Sequence, residues 1–242
     1  MFVIEGLREI TLAVASGFEI KKLLFCEDII SGEALDGLLA LIDPKSIELI
    51  RVTPEVYEKI AHRKGTEGII AVSLYKELNL NNLNLGKNPL ILIAEASEKP
   101  GNLGALFRTA DAANLDAVII ANPITDLYNP NIIRSSVGCV FTNQIAEGST
   151  SEILAFLKQR QIQIYSAALR SDSVRYDQVS YKNPSAIAVG TEATGLSREW
   201  TEQATENIII PMQGKIDSLN VSVSAAIVIF EAKRQRNFET LQ

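Results

Sequence analysis

The segment Ile210-Pro211-Met212-Gln213-Gly214-Lys215-Ile216-Asp217-Ser218-Leu219-Asn220-Val221-Ser222-Val223-Ser224-Ala225-Ala226 joins a short apolar strand to an apolar helix. The hydrophobic run before it stops at Pro211, and a polar turn follows. Ser218 and Asn220 stand where an N-cap would be, and the small and β-branched residues after them predict a helix that continues to Arg234. A helix N-terminus offers free N–H groups and a positive dipole end, so this junction can hold an anion. An ordinary cap before a buried helix is the alternative.

A second polar loop, residues 98–110, follows a continuous apolar strand predicted over residues 90–96. It opens a helix, as a dinucleotide-binding loop would, but its glycines do not complete the G-x-G-x-x-G pattern. A nicotinamide or flavin enzyme is therefore disfavoured. Arg108, inside the helix, can direct its planar guanidinium at a phosphate. A surface salt bridge to Asp111 or Glu95 is an equal alternative.

A third polar loop follows the apolar strand predicted over residues 186–190. Gly190 and Gly195 are five residues apart, and glycines allow a ligand to approach the backbone closely. Glu192, between them, is either a ligand contact or an ordinary loop carboxylate. All three loops follow strands of one predicted sheet, and ligands of such sheets gather at the carboxyl ends of the strands. We therefore expect the three loops to converge.

Short apolar strands alternate with helices along the chain, which predicts an α/β fold with a parallel sheet covered by helices on both faces. An asparagine-rich stretch supplies the best domain boundary. We predict a small α/β domain over residues 1–76, a linker over 77–89 and the sheet domain over 90–242. The sheet domain is expected to have strands at 90–96, 117–121, 162–168, 186–190 and 207–210, and helices at 103–113, 151–160 and 197–204.

Local signals predict helix ends in the first domain. Gly17 is expected to stop a helix over residues 6–16, since glycine favours the left-handed conformation that ends helices. Thr53 is expected to cap a helix whose first residue is Pro54.

The loop His62-Arg63-Lys64-Gly65-Thr66 is basic within an acidic region and is either a solvated turn or a phosphate contact.

The length, composition and net charge of the chain exclude several classes of protein. The chain has 242 residues, 47% hydrophobic content and a formal net charge of −6, which supports a substantial core and counts against non-specific coating of nucleic acid. No apolar run approaches a membrane span, and charged residues near Met1 argue against a signal peptide, so we expect a cytoplasmic protein. Cys26, Cys139 and the single His62 form no cluster, so neither a metal site nor a disulfide framework is predicted.

Taken together, the three loops resemble the motifs of the SpoU (TrmH-type) RNA ribose 2'-O-methyltransferases of the SPOUT superfamily. The matching residues are Asn102-x-Gly104-x-x-x-Arg108-Thr109-Ala110, Gly190-x-Glu192-x-x-Gly195-Leu196, and Ile210-Pro211-Met212 with Ser218-Leu219-Asn220-Val221-Ser222. The resemblance covers the whole second domain. More loosely, residues 3–6 and 68–71 are similar to the L30e-like substrate-binding domain that many members carry in front.

The resemblance implies a C-terminal deep trefoil knot, a bound S-adenosylmethionine and a homodimer whose active site is completed across the interface. It implies cofactor contacts at Gly190, Ile210, Met212 and Leu219. It also implies a catalytic set of Asn102, Arg108, Glu192, Ser218 and Asn220. For RNA binding we predict contacts at Arg8, Arg63 and Lys64, with no metal and no membrane involved.

These residue types suit methyl transfer to a ribose, because the reaction depends on positioning and on charge. A guanidinium holds its proton very tightly, so we expect Arg108 to bind the phosphate beside the target ribose, while Ser218 and Asn220 orient the hydroxyl. The front domain favours 23S ribosomal RNA as the target, with tRNA as the runner-up. A non-catalytic RNA-binding protein with the same fold is the alternative of a different class.

Overall fold

The computed structural model describes residues 1–43, 47–62, 67–96, 99–191 and 194–238. Its internal contacts divide the chain into two compact units. The first contains Met1–Glu77 together with Leu127–Thr142, and the second contains Leu78–Asp126 and Asn143–Gln242. Within the described ranges, no helix is long and apolar enough to cross a membrane.

The first unit is built on a four-stranded sheet in the order β1-β4-β2-β3, in which β2 and β3 run parallel and the other neighbours antiparallel. Its strands are β1 (Phe2–Glu5), β2 (Ile20–Phe25), β3 (Glu48–Arg51) and β4 (Ile69–Ser73). Its helices are α1 (Leu7–Ala15), α2 (Gly32–Leu39), α3 (Pro54–Ile60), α5 (Pro130–Ser135) and α6 (Cys139–Thr142).

The predicted helix ends of this unit are confirmed. Gly17 follows α1 with a φ of 73°, in the left-handed region. The Thr53 Oγ1 accepts a hydrogen bond from the Val56 N–H at 3.5 Å, and Pro54 is the first residue of α3. Of the cysteines, Cys26 is buried as expected of a small apolar residue, whereas Cys139 is half-buried.

Residues 127–142 pack into the first unit although they lie far from it in sequence. The Tyr128 ring stacks on Phe2 with a centroid distance of 4.4 Å, and the Phe141 ring meets Phe18 edge-on at 5.1 Å. Aromatic pairs at these distances stabilise by about 0.5–1.5 kcal/mol beyond the area they bury. The first unit is therefore assembled from two separate stretches of chain.

The second unit contains a seven-stranded sheet in the order β7-β6-β5-β10-β8-β11-β9, with parallel pairing throughout. Its strands are β5 (Leu90–Glu95), β6 (Ala117–Ala121), β7 (Ile145–Gly148), β8 (Gln163–Ala167), β9 (Val174–Arg175), β10 (Ser185–Val189) and β11 (Glu206–Ile209). Its helices are α4 (Pro100–Ala112), α7 (Thr150–Gln159), α8 (Arg198–Gln203) and α9 (Val221–Gln235).

The central strands are covered on both faces, as their continuous apolar runs predict. Every residue of β5, β6 and β10 is buried. Ile91 and Ile93 of β5 share a core cluster with Phe156 of α7 and Trp200 of α8. Since side chains alternate across a strand, the other residues of β5 face the opposite layer, where α4 and α9 pack together. The α/β fold with a helix-flanked parallel sheet is confirmed.

Arg236, just after α9, anchors the end of this helix to backbone carbonyl groups. Its Nε donates to the Tyr181 carbonyl at 2.7 Å, and its Nη1 and Nη2 donate to the Asn88 and Asn183 carbonyls at 2.8 and 2.5 Å. Next to it, the Gln235 side chain donates to Val179 and accepts from the Tyr181 N–H. The final helix is thus fixed at its far end by side-chain donors.

Replacing Arg236 by alanine is expected to lower the free energy of unfolding by about 2–4 kcal/mol, because several carbonyls lose their donor together. Urea unfolding followed by circular dichroism measures this loss. Arg234→Ala is the matched control, since Arg234 pairs with the neighbouring Glu231 at the surface and should contribute less than about 1 kcal/mol. Equal losses in the two variants would contradict the anchoring role.

Candidate active site

A cavity of about 690 Å³ opens at the carboxyl ends of three strands of the second unit. Its walls come from the segments that follow β8, β10 and β11, together with the first residues of α9. The lining residues are Ala167, Ala168, Leu169, Arg170, Val189, Gly190, Thr191, Thr194, Gly195, Leu196, Arg198, Thr201, Ile208, Ile209, Ile210, Met212, Asp217, Ser218, Leu219, Val221 and Ser224. The expected convergence of the loops after β10 and β11 is thus present.

The four residues predicted to contact the cofactor all line this cavity: Gly190, Ile210, Met212 and Leu219. Ser218, predicted as catalytic, also lines it. The cavity is within the range of about 300–1,000 Å³ that small-molecule sites span. Its lining combines apolar residues such as Ile210 and Leu219 with polar residues such as Thr191, which suits a ligand that has both an apolar ring system and polar groups.

The loop after β10 closes tightly on itself. The Thr191 and Gly195 backbones exchange N–H···O bonds of 3.3 and 3.0 Å. A Cβ placed on Gly190 would lie 2.2 Å from the Gly195 carbonyl carbon and oxygen, and Gly195 itself has a φ of 69°. Both positions therefore require glycine. Glu192 lies between them, outside the described residues.

Asn220 connects the first and third motifs. Its Oδ1 accepts from the Ser222 N–H at 3.0 Å, so Asn220 is the N-cap of α9, as predicted. Its Nδ2 donates to the Asn102 Oδ1 at 3.1 Å. Ser218 has a different role from a cap, because its Oγ donates to the Asp217 carboxylate at 3.4 Å. The structure therefore brings two of the predicted catalytic side chains into direct contact.

Arg108 lies exposed on α4. Among the residues that the structure describes, none forms a hydrogen bond or ion pair with its guanidinium, so the salt bridge considered for it is not formed. Other arginines of this unit are neutralised nearby: Arg170 pairs with Asp172, and Arg198 with Glu202. Arg108 is thus exposed and able to meet an incoming anion, although it does not itself line the cavity.

Glu95 was missed as a site residue. The carboxylate at the end of β5 is 5% exposed, and it accepts hydrogen bonds from the Ser197 N–H at 2.7 Å and from the Thr150 hydroxyl at 3.1 Å. The sequence contains one signal for it, since an acidic residue ends an otherwise continuous apolar strand. This carboxylate connects the strand before the first motif with the end of the second.

The predicted RNA contacts lie in the first unit. Arg8 is exposed on α1, whereas Arg63 and Lys64 lie outside the described residues. His62, beside them, donates its backbone N–H to the Glu5 carboxylate at 2.9 Å, and its Nε2 is 3.4 Å from the Asn131 Oδ1. Across the part of the chain that the structure covers, no group of three histidine, cysteine or acidic residues could hold a metal ion.

Comparisons with known proteins place both parts of the chain. Residues 89–230 match the model of the SpoU rRNA Methylase family, and residues 1–71 match an MRM3-like substrate binding domain. The 23S rRNA (guanosine-2'-O-)-methyltransferase RlmB of Vibrio vulnificus is 32% identical over 217 residues, which cover 86% of this chain and 87% of the relative. A second relative is RlmP of Bacillus subtilis, a 23S rRNA (guanosine(2553)-2'-O)-methyltransferase. It is 32% identical over 143 residues, which cover 59% of this chain and 57% of that protein.

Two crystal structures match almost the whole chain. An RNA 2'-O ribose methyltransferase, 39% identical, has a TM-score of 0.82 and matches over 98% of this chain and 89% of the other. The SpoU methyltransferase AviRb from Streptomyces viridochromogenes in complex with AdoMet, 25% identical, has a TM-score of 0.89 over 98% and 90% of the two chains. With the family model matched over the sheet unit and the fold shared along the chain, this protein belongs to the SpoU rRNA methylase family.

Proposed function

We propose that this protein transfers the methyl group of S-adenosylmethionine to a ribose 2'-hydroxyl of RNA, with 23S ribosomal RNA as the substrate. The observation that carries the proposal is the cavity at the strand ends, lined by all four residues predicted for the cofactor. Relatives that act on 23S rRNA and a neighbour crystallised with AdoMet support the same interpretation.

The residues around the cavity fit this cofactor. Thr191, Thr194 and Gly195 line the cavity on one side, and Ile210, Met212 and Leu219 supply apolar contacts for a flat ring. When bound, S-adenosylmethionine would supply a methyl group on a sulfonium: the S–C bond would break to leave a neutral thioether, the ribose oxygen would bond to the methyl carbon, and the hydroxyl proton would pass to water. The pocket itself has to exclude water and hold the two reactants in line.

The catalytic roles follow from what each side chain can donate or accept. Arg108, exposed and without an ion-pair partner among the described residues, binds the phosphate next to the target ribose and favours the oxyanion that develops. Asn220, held by the Asn102 amide and by its cap on α9, has a fixed orientation. With Ser218 it orients the ribose hydroxyl. Glu192 belongs to the same proposed set.

The substrate assignment rests on the first unit. A substrate-binding family model matches residues 1–71, and a basic loop at positions 62–64 offers contacts to the phosphate backbone together with Arg8. Domain limits at 1–76 and 90–242, with a linker at 77–89, are part of this proposal, as is a cytoplasmic location, where ribosomal RNA is found.

Incubation with methyl-labelled S-adenosylmethionine and two purified substrates, unmodified 23S rRNA and unmodified tRNA, tests the function. We expect label in 23S rRNA. Label in tRNA alone would support the runner-up instead. RNA binding without any labelling of either substrate would support a non-catalytic RNA-binding protein.

We also propose a homodimer through α9, and a C-terminal segment threaded through an earlier loop. Support for threading comes from the path of the chain after β11. The chain leaves the sheet near its edge and returns as α9, which packs on α4 and β10. Support for the dimer comes from Val223, Ile227 and Phe230, which share one face of α9 because they are spaced four and three residues apart. Val223 and Phe230 are 47% and 42% exposed. An apolar stripe of this kind is typical of an interface.

Phe230→Glu is expected to shift the protein from dimer to monomer in sedimentation velocity, since a charge in an apolar interface is desolvated without a partner. Methyl transfer should fall with the dimer fraction, because the active site is proposed to be completed across the interface. Leu41→Glu, at an exposed apolar position of the first unit, is the control and should leave the mass unchanged. A wild-type monomer at assay concentrations would refute the dimer.

A further inference from the structure

Glu95 is a buried carboxylate that none of the proposed catalytic or cofactor-binding roles uses. We propose that Glu95 is a positioning residue: its carboxylate holds Ser197, at the end of the cofactor loop whose described residues are 190, 191 and 194–196, and cofactor affinity depends on that contact. The inference rests on the proposed function, because it assumes that S-adenosylmethionine occupies the cavity.

The register of the sheet places Glu95 at the right point. β5 and β10 pair in parallel up to Ala94 and Val189, and the chain then separates into the two motif loops. Glu95 is the next residue of β5. Its Oε2 accepts the Ser197 N–H at 2.7 Å, at the far end of the loop that leaves β10. One side chain therefore extends the connection between the two strands beyond their last paired residues.

The carboxylate is itself held on its other side. Its Oε1 accepts from the Thr150 Oγ1 at 3.1 Å, and Thr150 and Asn122 exchange two further hydrogen bonds of 2.9 and 3.2 Å. Thr150 is the first residue of α7 and is buried. Since Asn122 donates to the Thr150 oxygen, the Thr150 proton is directed at Glu95. This network fixes where the carboxylate presents its second oxygen to Ser197.

The loop that Glu95 closes forms one wall of the cavity. Gly190, Thr191, Thr194, Gly195 and Leu196 all line it, and Ser197 comes directly after them. Ser197 is the N-cap residue of α8, and its N–H donates to Glu95. Loss of the bond would free one end of the wall and raise the entropy that must be lost on binding.

Two conservative changes separate the reach of the side chain from its charge. Glu95→Asp keeps the charge but is one methylene shorter and cannot span to both Ser197 and Thr150. Glu95→Gln keeps the length, and its amide oxygen can accept the Ser197 N–H. We expect Glu95→Asp to weaken S-adenosylmethionine binding about tenfold or more, and Glu95→Gln to stay within about threefold of the wild type.

Calorimetric titration with S-adenosylmethionine measures both affinities, and fluorescence of the single Trp200, buried in α8 behind the loop, gives a second readout. In turnover assays, the Glu95→Asp variant should show a raised KM for the cofactor with kcat changed less. A KM for the cofactor that is raised in Glu95→Asp but near wild type in Glu95→Gln indicates positioning. A purely structural residue would not change KM and kcat separately in this way.

Glu152→Ala is the matched control for stability. Glu152 forms a capping box with Ser149 at the start of the same helix, α7, but has no contact with Ser197 among the described residues. It should lower the melting temperature without changing cofactor affinity. Affinity loss in Glu95→Gln with none in Glu95→Asp, or no loss in either, would overturn the proposal. A wild-type protein that does not bind S-adenosylmethionine would instead refute the proposed function.

Discussion

Arg108→Lys is expected to lower kcat for RNA methylation by about 100-fold or more while RNA and S-adenosylmethionine affinities stay close to wild type. The lysine keeps the positive charge and therefore the attraction to the RNA backbone. It loses the planar fork that can hold a phosphate and favour the developing oxyanion at the same time. Single-turnover kinetics with saturating RNA and cofactor separates this effect from binding.

Arg160→Lys is the control for that experiment. Arg160 is the C-cap residue of α7, and its guanidinium lies over the Phe156 ring at 4.6 Å from the centroid, so it offers an arginine of the same unit with a packing role. Its substitution should leave kcat unchanged. Near wild-type turnover in Arg108→Lys would refute the role of Arg108 in the chemical step.

Gly190→Ala is expected to abolish measurable binding of S-adenosylmethionine, a loss of about 100-fold or more in affinity. The new Cβ would lie 2.2 Å from the Gly195 carbonyl group and 2.3 Å from the Leu196 nitrogen, and backbone atoms cannot move aside as a flexible side chain can. The loop must open, and the cavity wall opens with it. Isothermal titration calorimetry measures the affinity.

Gly37→Ala is the matched control, since Gly37 lies within α2 and an added Cβ there meets nothing within 4 Å. Alanine should stabilise that helix by about 0.5–1 kcal/mol and leave cofactor binding unchanged. If Gly190→Ala bound the cofactor like the wild type, the tight loop would not be part of the cofactor site.

Much of the second unit could be predicted from the sequence, because the signals that mark its strands lie within the strands and the turn residues beside them. The predicted strand at 117–121 matches β6 at both ends, β5 ends one residue earlier than predicted, and β10 begins and ends one residue earlier than predicted. Short continuous apolar runs between turn residues are typical of buried parallel strands, and their length distinguishes them from buried helices. The convergence of the loops after β10 and β11 then follows from parallel pairing alone.

The features that were missed depend on long-range contacts. Tyr128 and Phe141 pack on Phe2 and Phe18, more than a hundred residues away in sequence, and no local pattern shows where such side chains will pack. The two-residue strand β9 is too short to have a detectable period. These elements are fixed by tertiary packing rather than by propensity.

The candidate site shows the same division. The neighbours of Asn220 predict that it caps a helix, but its bond to Asn102 joins residues 118 positions apart, and only the fold brings them together. Glu95 was considered only as a partner for Arg108, whereas burial directs its carboxylate to Ser197 and Thr150. Sequence motifs indicate which kinds of side chain surround a site. The packing of the sheet and its loops determines which of those side chains contact each other.

The position of the transferred methyl group decides whether this protein methylates a ribose 2'-hydroxyl. 23S rRNA is incubated with the enzyme and S-adenosylmethionine that carries a deuterated methyl group, and the RNA is digested to nucleosides for mass spectrometry. We expect a nucleoside whose deuterated methyl group fragments with the ribose, and its near absence when Arg108→Lys replaces the wild type. A deuterated methyl group that fragments with the base would contradict this expectation.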